Sequence, residues 1–287
     1  MQVNVDPNSS SLNEAPRLGN QWSPSIANFN SHIFVAYQGR SQTGQHELVC
    51  AVINENHPTK KIIQNLVVSE GSKFVKYGNE ITTFSSGGKD YLAVIWKSSE
   101  NSKKIYLKTF EIDISASQAV IKEATVSDKS FEVGGSSFSN PTITFDSQPT
   151  TDEIVVSWEQ YPLRGHSGSN LKSPDSYELW KKHLAMDGTT YISKPIMSHS
   201  TANYEAVGGQ IESIASDSNL VHVWAEISGQ QPSKVMISSG TKEDHDSAKS
   251  GFAVDPLSTV PQYDPLFFIY NDVSTSTNHY VVTWHTD

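Results

Sequence analysis

Glu80, Glu212 and Asp264 are the carboxylates whose settings could support catalysis, because each falls on or beside a short apolar run that reads as a strand. Two carboxylates about 5 to 9 Å apart can divide acid and base work across a glycosidic bond. A second set of residues suits recognition. Trp22, Tyr77, Tyr204 and Tyr263 lie just ahead of such runs, and Asn79, Asn140 and Asp264 stand at their starts. Aromatic faces stack on apolar C–H surfaces, while amides and carboxylates satisfy hydroxyls. The chain has three arginines, and two of them, Arg40 in YQGRSQTGQ and Arg164 in EQYPLRGHSGS, follow an aromatic that ends an apolar run. They would meet an anionic or hydroxyl-rich group. The expected ligand-binding set is therefore Trp22, Arg40, Tyr77, Asn79, Asn140, Arg164, Tyr204, Tyr263 and Asp264, with no catalytic residue assigned. Each also has a plain structural use, since proline and asparagine shape tight turns and aromatics fill space between sheets.

Other chemistry is poorly represented. No His/Cys cluster has zinc-ligand spacing, and the run KEDHDSAK lacks the alternating acidic loop that holds calcium, so it reads as a solvated loop. There is no G-x-S-x-G elbow, Walker loop or G-x-G-x-x-G turn. Neither a metal nor a cofactor is expected. The single Cys50 sits in the alternating run HELVCAVI and reads as a buried apolar side chain.

The elements that must position these residues form a repeat. Five apolar runs close on an aromatic: HIFVAY at Tyr37, YLAVIW at Trp96, EIVVSW at Trp158, LVHVW at Trp224 and HYVVTW at Trp284. A second run precedes each, anchored at Pro24, Glu80, Pro141, Gln210 and Pro265, roughly every 55 to 70 residues. Two further strands complete most repeats. Lettering the strands of each repeat A to D, the blades span about 21–70, 77–128, 138–199, 204–256, and 262–287 joined by 1–7.

Val5-Asp6-Pro7 matches Val254-Asp255-Pro256, so the chain starts on the last strand of a repeat and ends, at Trp284, on the second strand of one. That offset would let the N-terminal strand pair into the last sheet and leave only short protected edges. The expectation is one all-β domain over residues 1–287, a five-bladed β-propeller closed by its N-terminal strand. The fifth blade offers no candidate for its third strand. Loops from D to A and from B to C then emerge at one face, which carries the expected site.

Composition narrows the partners. A formal net charge of −10 argues against phosphate-backbone binding, which needs a basic face. Apolar runs stop at about eight residues, too short for a membrane helix. MQVNVDPNSS lacks the basic start and apolar core of a signal peptide, so the expected location is cytoplasmic or reached by non-classical export. The expected partner is a glycan or glycoprotein, with a protein partner as the other class.

In plan the chain resembles compact five-bladed propeller lectins: a stand-alone acidic repeat with aromatic and amide groups in each blade and no complete catalytic set. The resemblance lies at the level of fold and implies carbohydrate binding. The alternatives are a protein- or peptide-binding propeller, or a five-bladed glycoside hydrolase using Glu80, Asp264 or Glu212. Against the hydrolase stands Ser23-Pro24 in the first blade, where such enzymes would carry an Asp. Sialidases would show an arginine triad and S-x-D-x-G-x-x-W boxes. No such box is present, and Arg17 falls ahead of its strand. The reading leans away from catalysis.

Overall fold

A computed structural model describes residues 22–40, 46–54, 62–68, 75–98, 104–115, 118–132, 141–147, 152–160, 178–185, 196–199, 204–214, 219–228, 231–241, 252–257, 259–272, 275 and 277–286. These residues contain no helix. They form two compact units, Met1–Phe131 and Glu132–Asp287.

The first unit holds two four-stranded antiparallel sheets in sequential order. The first sheet is β1 (Trp22–Phe29), β2 (His32–Arg40), β3 (His46–Asn54) and β4 (Ile62–Val67). The second is β5 (Val75–Ser86), β6 (Lys89–Ser98), β7 (Lys104–Ser115) and β8 (Gln118–Glu132). Local turn chemistry sets both opening hairpins. Asn30 and Ser31 take φ of 48° and 60°, and Gly87 and Gly88 take 56° and 74°, the paired left-handed residues that suit the right-handed twist of a two-residue hairpin.

The near-continuous apolar β2 and β6 are covered on both faces, as such runs require. Phe34 and Ala36 join Leu92, Val94 and Trp96 in one core between the sheets, with Ile81 of β5. The alternate residues Val35 and Tyr37 pack with Val49, Ala51 and Ile53 on the other face of the first sheet.

The second unit holds three sheets. The third is β9 (Thr142–Ser147), β10 (Asp152–Gln160), β11 (Glu178–Ala185) and β12 (Ile196–His199). The fourth is β13 (Tyr204–Ile214), β14 (Asn219–Ser228), β15 (Gln231–Thr241) and β16 (Phe252–Ala253), and the fifth is the hairpin β17 (Gln262–Asp272) with β18 (Thr277–Thr286). The fourth and fifth sheets share an apolar core of Val221, Val223, Val235, Ile237 and Phe267, against which Val282 and Trp284 pack. Gln262 stitches the same pair together: its backbone N–H donates to Ser233 Oγ (3.1 Å) and its Oε1 accepts from the Val235 N–H (2.8 Å).

The chain is thus all-β, and its five successive sheets fit a five-bladed β-propeller. The expected closing strand at residues 1–7 lies outside the described residues. Several positions expected in loops belong to strands instead. Trp22, Tyr77, Tyr204 and Tyr263 are all in the first strand of their sheets, and Arg40 ends β2 opposite His46. Asn271 and Asp272, residue types that favour turns, instead pair with Asn278 and Thr277. Ladder bonds are made by the backbone, so pairing continues beyond the apolar run that marked each strand in the sequence.

Candidate functional site

In four of the five sheets a bulge lies where the first strand meets the aromatic end of the second. In the first sheet Trp22 pairs with Gln38 and Ser25 with Ala36, so Ser23 and Pro24 together oppose Tyr37. In the fourth, Gly208 and Gly209 oppose Trp224. In the fifth, Asp264 and Pro265 oppose Trp284. The second sheet has a larger bulge, in which Lys76, Tyr77 and Gly78 oppose Lys97, and Gly78 takes a φ of 56°. Proline cannot donate to a ladder, and a bulge supplies the unladdered place that it needs. Bulges also concentrate beside active sites, where they redirect side chains.

This register corrects the equivalence expected from sequence. Ser23 and Asp264 are the first residues of their bulges, whereas Asn79 lies past its bulge, directly opposite Trp96. Asn79 therefore shares its column with Pro24, Gly209 and Pro265. Among these four it alone has a side chain that forms hydrogen bonds.

The seam between the first two sheets shows what Asn79 does. Its side chain is 7% exposed, and Nδ2 donates to Ser25 Oγ at 3.1 Å, linking β5 to β1. Its Oδ1 has no hydrogen-bond partner among the described residues. Gln38, 4% exposed, has an Nε2 in the same condition. A buried polar atom left without a partner costs about 1–3 kcal/mol, so both positions carry a standing penalty. Beneath them Trp96 is fully buried and stacks on Tyr106 with centroids 5.6 Å apart. Trp158 and Trp224 are equally buried, and Trp284 is partly so, which makes these rings core. Glu80 follows Asn79 on β5 and so lies on the opposite face from Asn79 and Ile81.

Of the other expected ligands, Trp22, Tyr77, Tyr263 and Asp264 are placed by their backbones at or beside bulges, whereas Tyr204 pairs regularly with Ser228, four residues before the bulge of its strand. Arg40 sits at the end of β2. Asn140 and Arg164 lie outside the described residues.

Sequence reading missed a second polar constellation, on one face of the third sheet. Glu153 pairs across to Asp146, Val155 to Thr144 and His183, and Ser157 to Thr142 and Lys181. All seven of these polar side chains are buried, and His183 Nδ1 bonds Glu153 Oε2 at 2.9 Å. β13 packs against β9, β10 and β11. The alternation was visible in Thr142-Ile143-Thr144-Phe145-Asp146, but a period-two polar face ordinarily means solvent rather than a neighbouring sheet. Among the described residues no group of three or more His, Cys, Asp or Glu could hold a metal ion. No helix there is long and apolar enough to cross a membrane.

No protein family and no curated protein matches the chain. Solved structures do. An N-acetylgalactosamine deacetylase from F. plautii, in complex with blood group B trisaccharide, is similar over 94% of this chain and 80% of its own, with TM-score 0.50 and 8% identity. An endo-arabinase from Bacteroides thetaiotaomicron VPI-5482 covers 92% and 93%, with TM-score 0.48 and 9% identity. A GH43_1 enzyme from Xanthomonas citri complexed with xylotriose covers 92% and 87%, with TM-score 0.43 and 9% identity. At such identities the likeness is one of fold, and it agrees with the succession of five antiparallel sheets described above.

Proposed function

We propose that the protein is a carbohydrate-active β-propeller that cleaves glycosidic bonds with carboxylates near the bulges of its first strands. The observation that carries this reading is the distribution of carboxylates. Glu212 on β13 and Asp264 on β17, in neighbouring sheets of the second unit, each stand within, or a few residues beyond, the bulge of the first strand in their sheet, and Glu80 holds a like position on β5 of the first unit. Such strands can present acids to a bound sugar, and hydrolysis needs two of them, one to protonate the leaving oxygen and one to act as base or nucleophile. The likeness in fold to the F. plautii deacetylase, which holds a blood group B trisaccharide, supports carbohydrate as the ligand class.

The second reading is a lectin. Ser23, Pro24 and Ser25 leave the start of β1 without a carboxylate, and Asn79 adds an amide suited to holding a hydroxyl. Chromogenic glycosides and a glycan array separate the two. Turnover that falls at least 100-fold in Glu80→Gln, Glu212→Gln or Asp264→Asn supports the hydrolase. Sugar binding without turnover in the unaltered protein replaces it with the lectin, and a flat array together with no turnover removes both.

A further inference from the structure

We propose that the side-chain amides of Gln38 and Asn79 form a hydroxyl-binding subsite at the bulged end of the seam between the first two sheets. The proposal rests on the carbohydrate reading for its ligand class, but its geometry stands apart from the carboxylates. Side chains alternate along β2, so Gln38 shares a face with Ala36 and Phe34, which belong to the core that the first sheet forms with the second. Asn79 shares a face of β5 with Ile81, a member of the same core. Asn79 reaches Ser25, and Ser25 lies directly across from Ala36. Gln38 is two residues further along β2, about 7 Å at strand spacing.

The two amides are complementary to a hydroxyl, which both donates and accepts. Gln38 Nε2 offers a donor, and Asn79 Oδ1 offers an acceptor. Ser25 can bind either end of the Asn79 amide, so turning that amide over exchanges an acceptor for a donor and still leaves one polar atom for a ligand. Both side chains are more than nine-tenths buried, which strengthens a bond made there. The three-residue bulge at Lys76, Tyr77 and Gly78 takes the adjoining backbone out of the ladder at the same end. Where other first strands place Pro24, Gly209 or Pro265, this strand has a hydrogen-bonding side chain next to that bulge.

The test uses Gln38→Met and Asn79→Leu, which keep volume and remove the amides, so the site can be read from either sheet. Ligand-free thermal unfolding comes first. A rise in Tm of about 2 °C or more is expected in Gln38→Met, because an unsatisfied group has been removed, whereas in Asn79→Leu the lost bond to Ser25 offsets that gain. Titration with xylotriose and with blood group B trisaccharide follows, monitored by the side-chain amide signals of Gln38 and Asn79 in nitrogen-15 spectra. Saturable shifts of both, with affinity at least tenfold weaker in a folded variant, are expected. Sugar binding that leaves both signals and both affinities unchanged overturns the subsite and spares the carbohydrate reading. If neither sugar binds, a raised Tm retains the subsite for another hydroxyl-bearing ligand and counts against the carbohydrate reading. A Tm that does not rise in that case overturns the subsite as well.

Discussion

At the residue scale, burial decides which side chains keep their ordinary chemistry. Cys50 is wholly buried in β3 among Phe34, Leu48 and Val52, and burial alone pushes its thiol well above its ordinary value of 9.0. Such a thiol is no nucleophile at neutral pH. It also couples folding to pH in a definite direction. Because the folded pKa is raised, the unfolded chain loses this proton first, so the contribution is intact below about pH 9 and declines above it. The slope approaches 1.4 kcal/mol per pH unit for a single group. Urea unfolding of the parent protein and Cys50→Ala at pH 8, 9 and 10 reads this as a difference. The gap between the two should narrow as pH rises, and iodoacetamide should label Cys50 only in the unfolded chain. Rapid labelling of the native protein at pH 8 would contradict the placement of this thiol in the core.

At the element scale, the third sheet tests whether a buried polar face is structural. Glu153 and His183 bond across β10 and β11, with Asp146, Ser157 and Lys181 on the same face. Removing one member of a buried hydrogen-bonded pair leaves its partner unsatisfied, at a cost of about 1–3 kcal/mol. Glu153→Ala should therefore lower unfolding stability by about 1–3 kcal/mol. Glu153→Gln, which keeps an acceptor for His183, should lose less than half of that in the same urea titration. Equal losses would mean that shape, not the hydrogen bond, is what the site requires. This sheet also marks the limit of what the sequence discloses. Strand positions followed from apolar runs ending in Tyr37, Trp96, Trp158, Trp224 and Trp284, since a strand covered on both faces needs such a run. Asn79 was recognisable as a site candidate from its place beside an aromatic. Gln38 was not, because one amide at the end of HIFVAYQ looks like the point where a strand reaches solvent. The bulges escaped for a related reason: an extra residue changes register without changing composition.

At the scale of the whole molecule, charge separates the proposed ligand class from its main competitor. The chain has 31 acidic and 21 basic side chains, a net charge of −10. A partner held through phosphates releases counterions on binding, so the logarithm of its affinity falls with the logarithm of salt at a slope near −0.9 for each phosphate engaged. A neutral sugar held by amides and aromatic faces releases none, and its affinity should change less than about twofold between 50 and 500 mM NaCl. Excess negative charge on the protein would further repel a polyanion at low salt, where screening is weakest. Titration calorimetry with a neutral oligosaccharide across that salt range, together with gel shift of a duplex DNA at 50 mM NaCl, tests both statements. A flat sugar affinity and no DNA shift are expected. A DNA complex that weakens steeply with salt would require a basic face that the balance of charge does not suggest, and would move the search for function away from the amides and carboxylates of the first strands.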